Sequence, residues 1–122
     1  MRNLNKDLKT GIEKMLSHMA NDYAGWNTLA IRSTSSDSMK RRDEMNKEYA
    51  EKLHYTVGAK YVKIINGKSG SVEGFVVNTE TDKKFRFGDI LKPAGWAGPA
   101  RNFSRGNVID GTLGRIKWTG AE

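Results

Sequence analysis

The chain has 122 residues, no cysteine, 21 Lys and Arg against 14 Asp and Glu, and a formal charge of +7. That length suits one domain over 1–122, and 37% hydrophobic with 29% charged residues reads as globular rather than disordered. The missing cysteines exclude disulfides, Cys-based zinc or iron–sulfur sites and cysteine nucleophiles, and with only His18 and His54 as soft ligands no metal is expected.

In chain order, the first predicted element is a helix. Leu4, Leu8, Ile12, Met15, Leu16, Met19 and Tyr23 recur at steps of three and four and make one apolar stripe. Asn3 or Asn5 can cap its start, and Gly25 is expected to stop it near Ala24. Gly11 inside the helix predicts close packing against a neighbour. His18 lies off the stripe and reads as solvated. Residues 26–36 read as a polar loop containing Trp26 and Arg32.

A second helix is predicted from about Asp37 to Leu53, with Ser35, Ser36 or Asp37 as cap. Its apolar face is thin, which points to a homo-oligomer. Lys40, Arg41 and Arg42 fall in its first turn, where the helix dipole disfavours positive charge. Either Asp37, Asp43 and Glu44 neutralise the cluster locally, or Arg41 or Arg42, with Arg32, faces an anion or a partner subunit.

After position 54 the period changes. Eleven of the thirteen glycines lie between Gly58 and Gly120, as turns between short strands require. Lys60–Ile65 and Val72–Val77 read as strands joined by an Asn66-Gly67 hairpin, with Gly74 marking a bulge or a close backbone approach. Lys83–Phe87 alternates as a further strand, followed by Ile90-Leu91 and by Arg115–Trp118. The expected fold is α+β: two N-terminal helices (1–54) packed on a small antiparallel sheet of four to five strands (55–122).

Segment 92–107 stands apart. Roughly sixteen residues without a period make a long loop for a compact domain, and such loops are functional or disordered. Trp96 and Phe103 argue for order, and the small residues Gly95, Ala97, Gly98 and Ala100 allow close ligand approach. Arg101 and Arg105 can grip phosphate bidentately, while Asn102 and Asn107 can hydrogen-bond a base or ribose edge. Eight basic residues against Asp89 and Asp110 fall within 83–117, a field that can steer an anion. The competing explanation is structural: Pro93 and Pro99 stiffen a long connection, Trp96 plugs the core and the arginines serve solubility. The candidate ligand-binding set is Phe85, Arg86, Lys92, Trp96, Arg101, Asn102, Phe103, Arg105 and Asn107, with Phe85 or Trp96 stacking on a base and the arginines holding phosphate.

Enzyme signatures are absent. There is no Gly-x-x-x-x-Gly-Lys-Ser/Thr, no Gly-x-Ser-x-Gly and no His-Glu-x-x-His. A binder without catalytic groups or cofactor is therefore expected. No apolar run reaches the roughly 18–20 residues of a membrane span, and Met1–Asp7 lacks the apolar core of a signal peptide, so a cytoplasmic location is expected.

Two resemblances bear on the partner. Val62–Ile65, the glycine-rich turn and Gly70–Val77 resemble the strand–turn–strand of small SH3-like barrels of the KOW type, which implies RNA binding. The run from Phe85 through Gly88-Asp89-Ile90-Leu91-Lys92, Trp96, Pro99-Ala100-Arg101-Asn102 and Arg105-Gly106-Asn107-Val108 to Trp118-Thr119-Gly120 resembles small bacteriophage accessory proteins. In size, element order and basic loop the chain is similar to the phage anti-Thoeris sponge family. That likeness implies a non-enzymatic oligomer sequestering a cyclic ADP-ribose-type signal or a cyclic oligonucleotide in the host cytoplasm. It carries over no individual ligand residues. Nucleic-acid binding and inhibition of a host enzyme by direct protein contact remain the alternatives.

Overall fold

The computed structural model describes residues 4–30, 35–67 and 70–121. Helix α1 spans Lys6–Ala30 and is capped by Asn5, whose Oδ1 accepts from the backbone N–H groups of Asp7 (2.9 Å) and Leu8 (3.1 Å). Leu8, Ile12, Met15 and Met19 are fully buried along the predicted stripe. The helix does not stop at Gly25. Trp26 packs on Tyr23 and Trp118, and Asn27 is buried with its Nδ2 donating to the Arg42 carbonyl and to Asn46 Oδ1. These tertiary contacts outweigh the glycine's preference for ending a helix. The expected loop 26–36 is therefore helical as far as Ala30, and its remainder from 31 to 34, including Arg32, lies outside the described residues.

Helix α2 spans Ser36–Lys52, with Ser35 Oγ accepting from the Ser38 N–H as cap. Strand β1, Leu53–Val57, follows it at once and was not expected. Its Leu53, Tyr55 and Val57 alternate with exposed His54 and Thr56, a period-2 pattern too short to stand out beside the helix. Strands β2 (Tyr61–Asn66), β3 (Ser71–Val77), β4 (Asp89–Leu91) and β5 (Gly106–Asn107) complete an antiparallel sheet in the order β1-β2-β3-β4-β5. A smaller pair, β6 (Ile116–Lys117) and β7 (Gly120–Ala121), lies against α1 and β3 respectively. The architecture is α+β, with the helices N-terminal to the sheet.

Both faces of the sheet carry buried apolar residues. Val62, Ile64, Val76 and Ile90 join the apolar stripe of α1, together with Ile116 and Ala121. On the other face Phe75, Val77 and Leu91 pack with Phe85. The expected strand 83–87 is absent. Asp82 Oδ1 accepts from the N–H groups of Lys84 (2.8 Å) and Phe85 (3.0 Å), and this side-chain turn replaces a ladder and drives Phe85 inward. No helix among the described residues is long and apolar enough to cross a membrane.

Candidate anion-binding site

The site is built around Asn107 on β5. Its Nδ2 donates to Asp89 Oδ1 (2.9 Å) and the Phe87 carbonyl (3.1 Å), and its Oδ1 accepts from the N–H groups of Ile109 (2.7 Å) and Asp110 (3.1 Å). Backbone bonds between Asn107 and Thr112 in both directions close the turn beyond it. Gly106 sits at φ +152, and a Cβ there would come within 2.1 Å of the Thr112 carbonyl oxygen, so the two chain segments meet only because the residue is glycine. A cavity of about 380 Å³ results, walled by Ser104–Asn107 on one side and Thr112, Gly114 and Arg115 on the other, with Arg86 and Asp89 completing it. Its volume lies at the lower end of small-ligand sites.

Three guanidinium groups line this cavity, and they differ in what they hold. Arg86 is committed: its Nη2 donates to Asp110 Oδ2 at 2.8 Å and its Nε lies 3.9 Å from Asp89 Oδ1. The hydrogen bond that Arg86 donates to Asp110, then the charges of Asp110 and Asp89, raise the Arg86 pKa. Arg105 is the unusual one. Only 6% exposed, it donates from Nη1 to Asn102 Oδ1 (2.6 Å) and the Phe103 carbonyl (2.8 Å), stacks 3.8 Å over the Phe103 ring, and has no carboxylate partner among the described residues. Its Nε is buried without a hydrogen-bond partner among the described residues. Burial, and then repulsion from Arg115, depress its pKa, yet a guanidinium stays charged in any case. Arg115 approaches the same ring, 5.4 Å from its centroid, and makes no ion pair among the described residues.

A buried cation without a counter-charge is costly, and cavities in which one sign dominates concentrate the opposite ion. The arrangement offers an anion one clamped and one adaptable guanidinium. It offers little for proton transfer: Asp89, the carboxylate lining the cavity, already accepts from Asn107 and from the Arg86 backbone N–H. His18 and His54 lie elsewhere, and His18 bonds the Ile116 carbonyl at 2.8 Å rather than facing solvent. The described residues contain no cluster of His, Cys, Asp or Glu able to hold a metal ion.

Of the residues singled out in the sequence, Arg86, Arg105 and Asn107 line this cavity, and Asn102 and Phe103 position Arg105 from behind. Every polar side-chain atom of Asn107 is engaged within the fold, so it shapes the site and has no free group for a base edge. Phe85 and Arg101 belong elsewhere. Phe85 is buried on the second face of the sheet, and Arg101 lies over it while donating to Asp82 Oδ1 (2.9 Å) and to the Tyr61 hydroxyl. Trp96 is 54% exposed, not a core plug, and its ring carries the Lys63 ammonium at 4.5 Å. Lys92 is exposed, with its carbonyl accepting from the Ala100 N–H at the neck of the loop. Arg41 is exposed on α2 and Arg42 half-buried there, and neither lines the cavity; Arg32 lies outside the described residues. Ser104, Thr112 and Arg115 were missed as site residues. Arg115 was visible only as one member of the basic excess, because the turn closed by Asn107 is what carries it to Arg105. Neither protein-family models nor curated proteins nor solved structures match this chain.

Proposed function

We propose that the protein is a non-catalytic binder of a small phosphate-bearing ligand of the nucleotide class, with the phosphate held between Arg105 and Arg115. One observation carries this reading: a buried guanidinium that, among the described residues, has neither a carboxylate partner nor a partner for its Nε lines a cavity that a second guanidinium, without an ion pair among those residues, also lines. A phosphate supplies the missing charge and accepts bidentately from such a group. Phe103, 46% exposed beside both arginines, offers an aromatic surface for a base. The cavity has room for a phosphoryl group and part of a sugar, so a cyclic dinucleotide would need surface from a second copy, in keeping with a homo-oligomer. Sequestration of a cyclic nucleotide signal in phage counter-defence is the specific form of this reading, and it rests on the sequence resemblance over roughly residues 60–120.

The test has two arms. Protein purified from cells is denatured and the released small molecules are identified by mass spectrometry; separately, cyclic ADP-ribose, AMP and pyrophosphate are titrated calorimetrically. Arg105→Met and Arg115→Ala should each weaken binding of whichever probe binds by at least about tenfold, the scale of one lost charge-assisted contact. Unchanged affinity in both variants overturns the assignment.

A second reading has its own observation. Lys63 and exposed Trp96 form a basic aromatic pair on the Phe75 face of the sheet, suited to stacking on single-stranded nucleic acid. It requires affinity for an oligonucleotide that falls steeply with salt and is lost in Trp96→Ala but kept in Arg105→Met.

A further inference from the structure

A second cavity, of about 500 Å³, lies where α2 meets the turn between β6 and β7, and its chemistry is the reverse of the first. The β2–β3 register explains its central group. Ile64 pairs with Gly74 and Ile65 with Val72, which leaves Glu73 as the extra residue of a bulge. Strict alternation would put Glu73 on the same face as Phe75. The bulge instead turns it towards Tyr49 and Gly120, on the face that α1 and α2 cover.

Glu73 is buried, 8% exposed as a residue. Its Oε1 accepts from Ser71 Oγ at 2.7 Å, and no cation among the described residues pairs with it. Burial raises its pKa, and Ser71 offsets only part of that. The walls beside it are aromatic. Tyr49 lines the cavity with its hydroxyl donating to the Trp118 carbonyl at 2.6 Å, and Trp118 lines it in turn. Tyr23 stacks on Tyr49 at 4.3 Å and holds that ring in place. A lone buried carboxylate asks for a single positive charge with N–H donors, and aromatic rings favour a cation that carries an alkyl chain.

We propose that this cavity is a second binding site, for the ammonium end of a small aliphatic amine, with Glu73 as its counter-charge and Tyr49 and Trp118 as its aromatic wall. It is independent of the Arg105 site, and either can fail without the other.

The probe is 1,4-diaminobutane, added to the full chain at about pH 8, well above the ordinary carboxylate range and below that of an aliphatic amine. Binding is followed by the indole N–H resonances of the three tryptophans, with Trp96 and Trp26 identified through Trp96→Phe and Trp26→Phe and Trp118 as the remaining one. The expected result is a saturable shift of Trp118 while Trp96 stays fixed, with Glu73→Gln weakening the interaction by at least about tenfold. Butan-1-ol, which has the same chain and no charge, should produce no saturable shift. The proposal is overturned if Trp118 does not respond, if all three indoles shift alike, if Glu73→Gln binds as the wild type does, or if the alcohol matches the amine. The comparison of amine with alcohol needs only wild-type protein, so it decides the matter even if Glu73→Gln does not fold.

Discussion

Two glycines on α1 should answer the same substitution with opposite signs. Gly11 and Gly25 both lie inside the helix, where alanine is favoured over glycine by about 1 kcal/mol because it has less backbone entropy to lose. At Gly25 an added Cβ would meet nothing within 4 Å, so Gly25→Ala should show that gain undiminished. At Gly11 the Cβ would lie 2.5 Å from the Val108 carbonyl oxygen and 2.9 Å from the Val108 carbonyl carbon and Cβ. The first distance is roughly 1 Å short of van der Waals contact. Most of the obstruction is backbone, which cannot rotate aside as a side chain could. Either α1 moves off the turn that follows β5, giving up contacts around Leu8, Ile12 and Met15, or the overlap is borne as strain.

Overpacking of this kind costs about 1–3 kcal/mol, and subtracting the helical gain of about 1 kcal/mol leaves Gly11→Ala destabilised by up to about 2 kcal/mol. The helical gain is common to both, so the two variants should differ by the overpacking cost of about 1–3 kcal/mol, read as urea midpoints at a common slope. In heat, Gly25→Ala should melt roughly 3–5 °C above the parent. If both variants are stabilised equally, α1 does not rest on Val108, and the placement of the helix over the sheet is wrong.

The other expectations concern the polar centres. Asn107→Ala removes four hydrogen bonds and strips a donor from buried Asp89, so it should cost about 3 kcal/mol or more in urea unfolding; a loss below about 1 kcal/mol would contradict its role as the hub of the site. Asp82 is held well below its ordinary value of 3.8 by Arg101 first and by the N–H groups of Lys84 and Phe85 next. A depressed carboxylate contributes stability that is present above its unfolded pKa and is lost as pH falls below it, so Asp82→Asn should flatten the acid limb of melting temperature against pH. Glu73 has the opposite sign. Its raised folded pKa means the native state holds the proton more tightly than the unfolded chain, so stability falls as pH rises from about the ordinary value of 4.5. Glu73→Gln should remove that decline and be more stable than the parent at neutral pH, and a variant less stable at every pH would refute the sign.

What the sequence disclosed was mostly local. Asn5 and Ser35 were among the expected caps, and the buried stripe of α1 follows its three- and four-residue spacing, because capping and amphipathicity act within a turn or two. The failures have tertiary causes. Gly25 stops a helix in isolation, but Trp26 and Asn27 find partners on Trp118 and α2. Lys83–Phe87 alternates like a strand, yet the Asp82 carboxylate captures its first N–H groups. In the site, Arg86, Arg105 and Asn107 were readable by type. Which arginine already had a partner was not readable, because Asp110 reaches Arg86 across 24 positions and Asp82 reaches Arg101 across 19.

That distinction is what separates a binding site from a soluble surface. The basic excess between 83 and 117 could serve solubility alone, and for Lys83, Lys92 and Lys117, all exposed, nothing more is required. Arg101 and Arg86 are accounted for by Asp82 and Asp110 as clasps between distant segments. Arg105 fits neither description. A charge kept for solubility gains nothing by burial, and a structural clasp would have its carboxylate. Arg105 instead has its orientation fixed by Asn102, the Phe103 carbonyl and the Phe103 ring, all without neutralising it, and Arg115 beside it makes the local charge more positive still. A cation held rigidly, only thinly hydrated and next to a like charge is destabilising unless an anion neutralises it. That cost is the ground for the proposal of an anionic ligand, and it predicts that the phosphate compounds that bind should raise the melting temperature of the wild type and raise that of Arg105→Met by less at the same concentration.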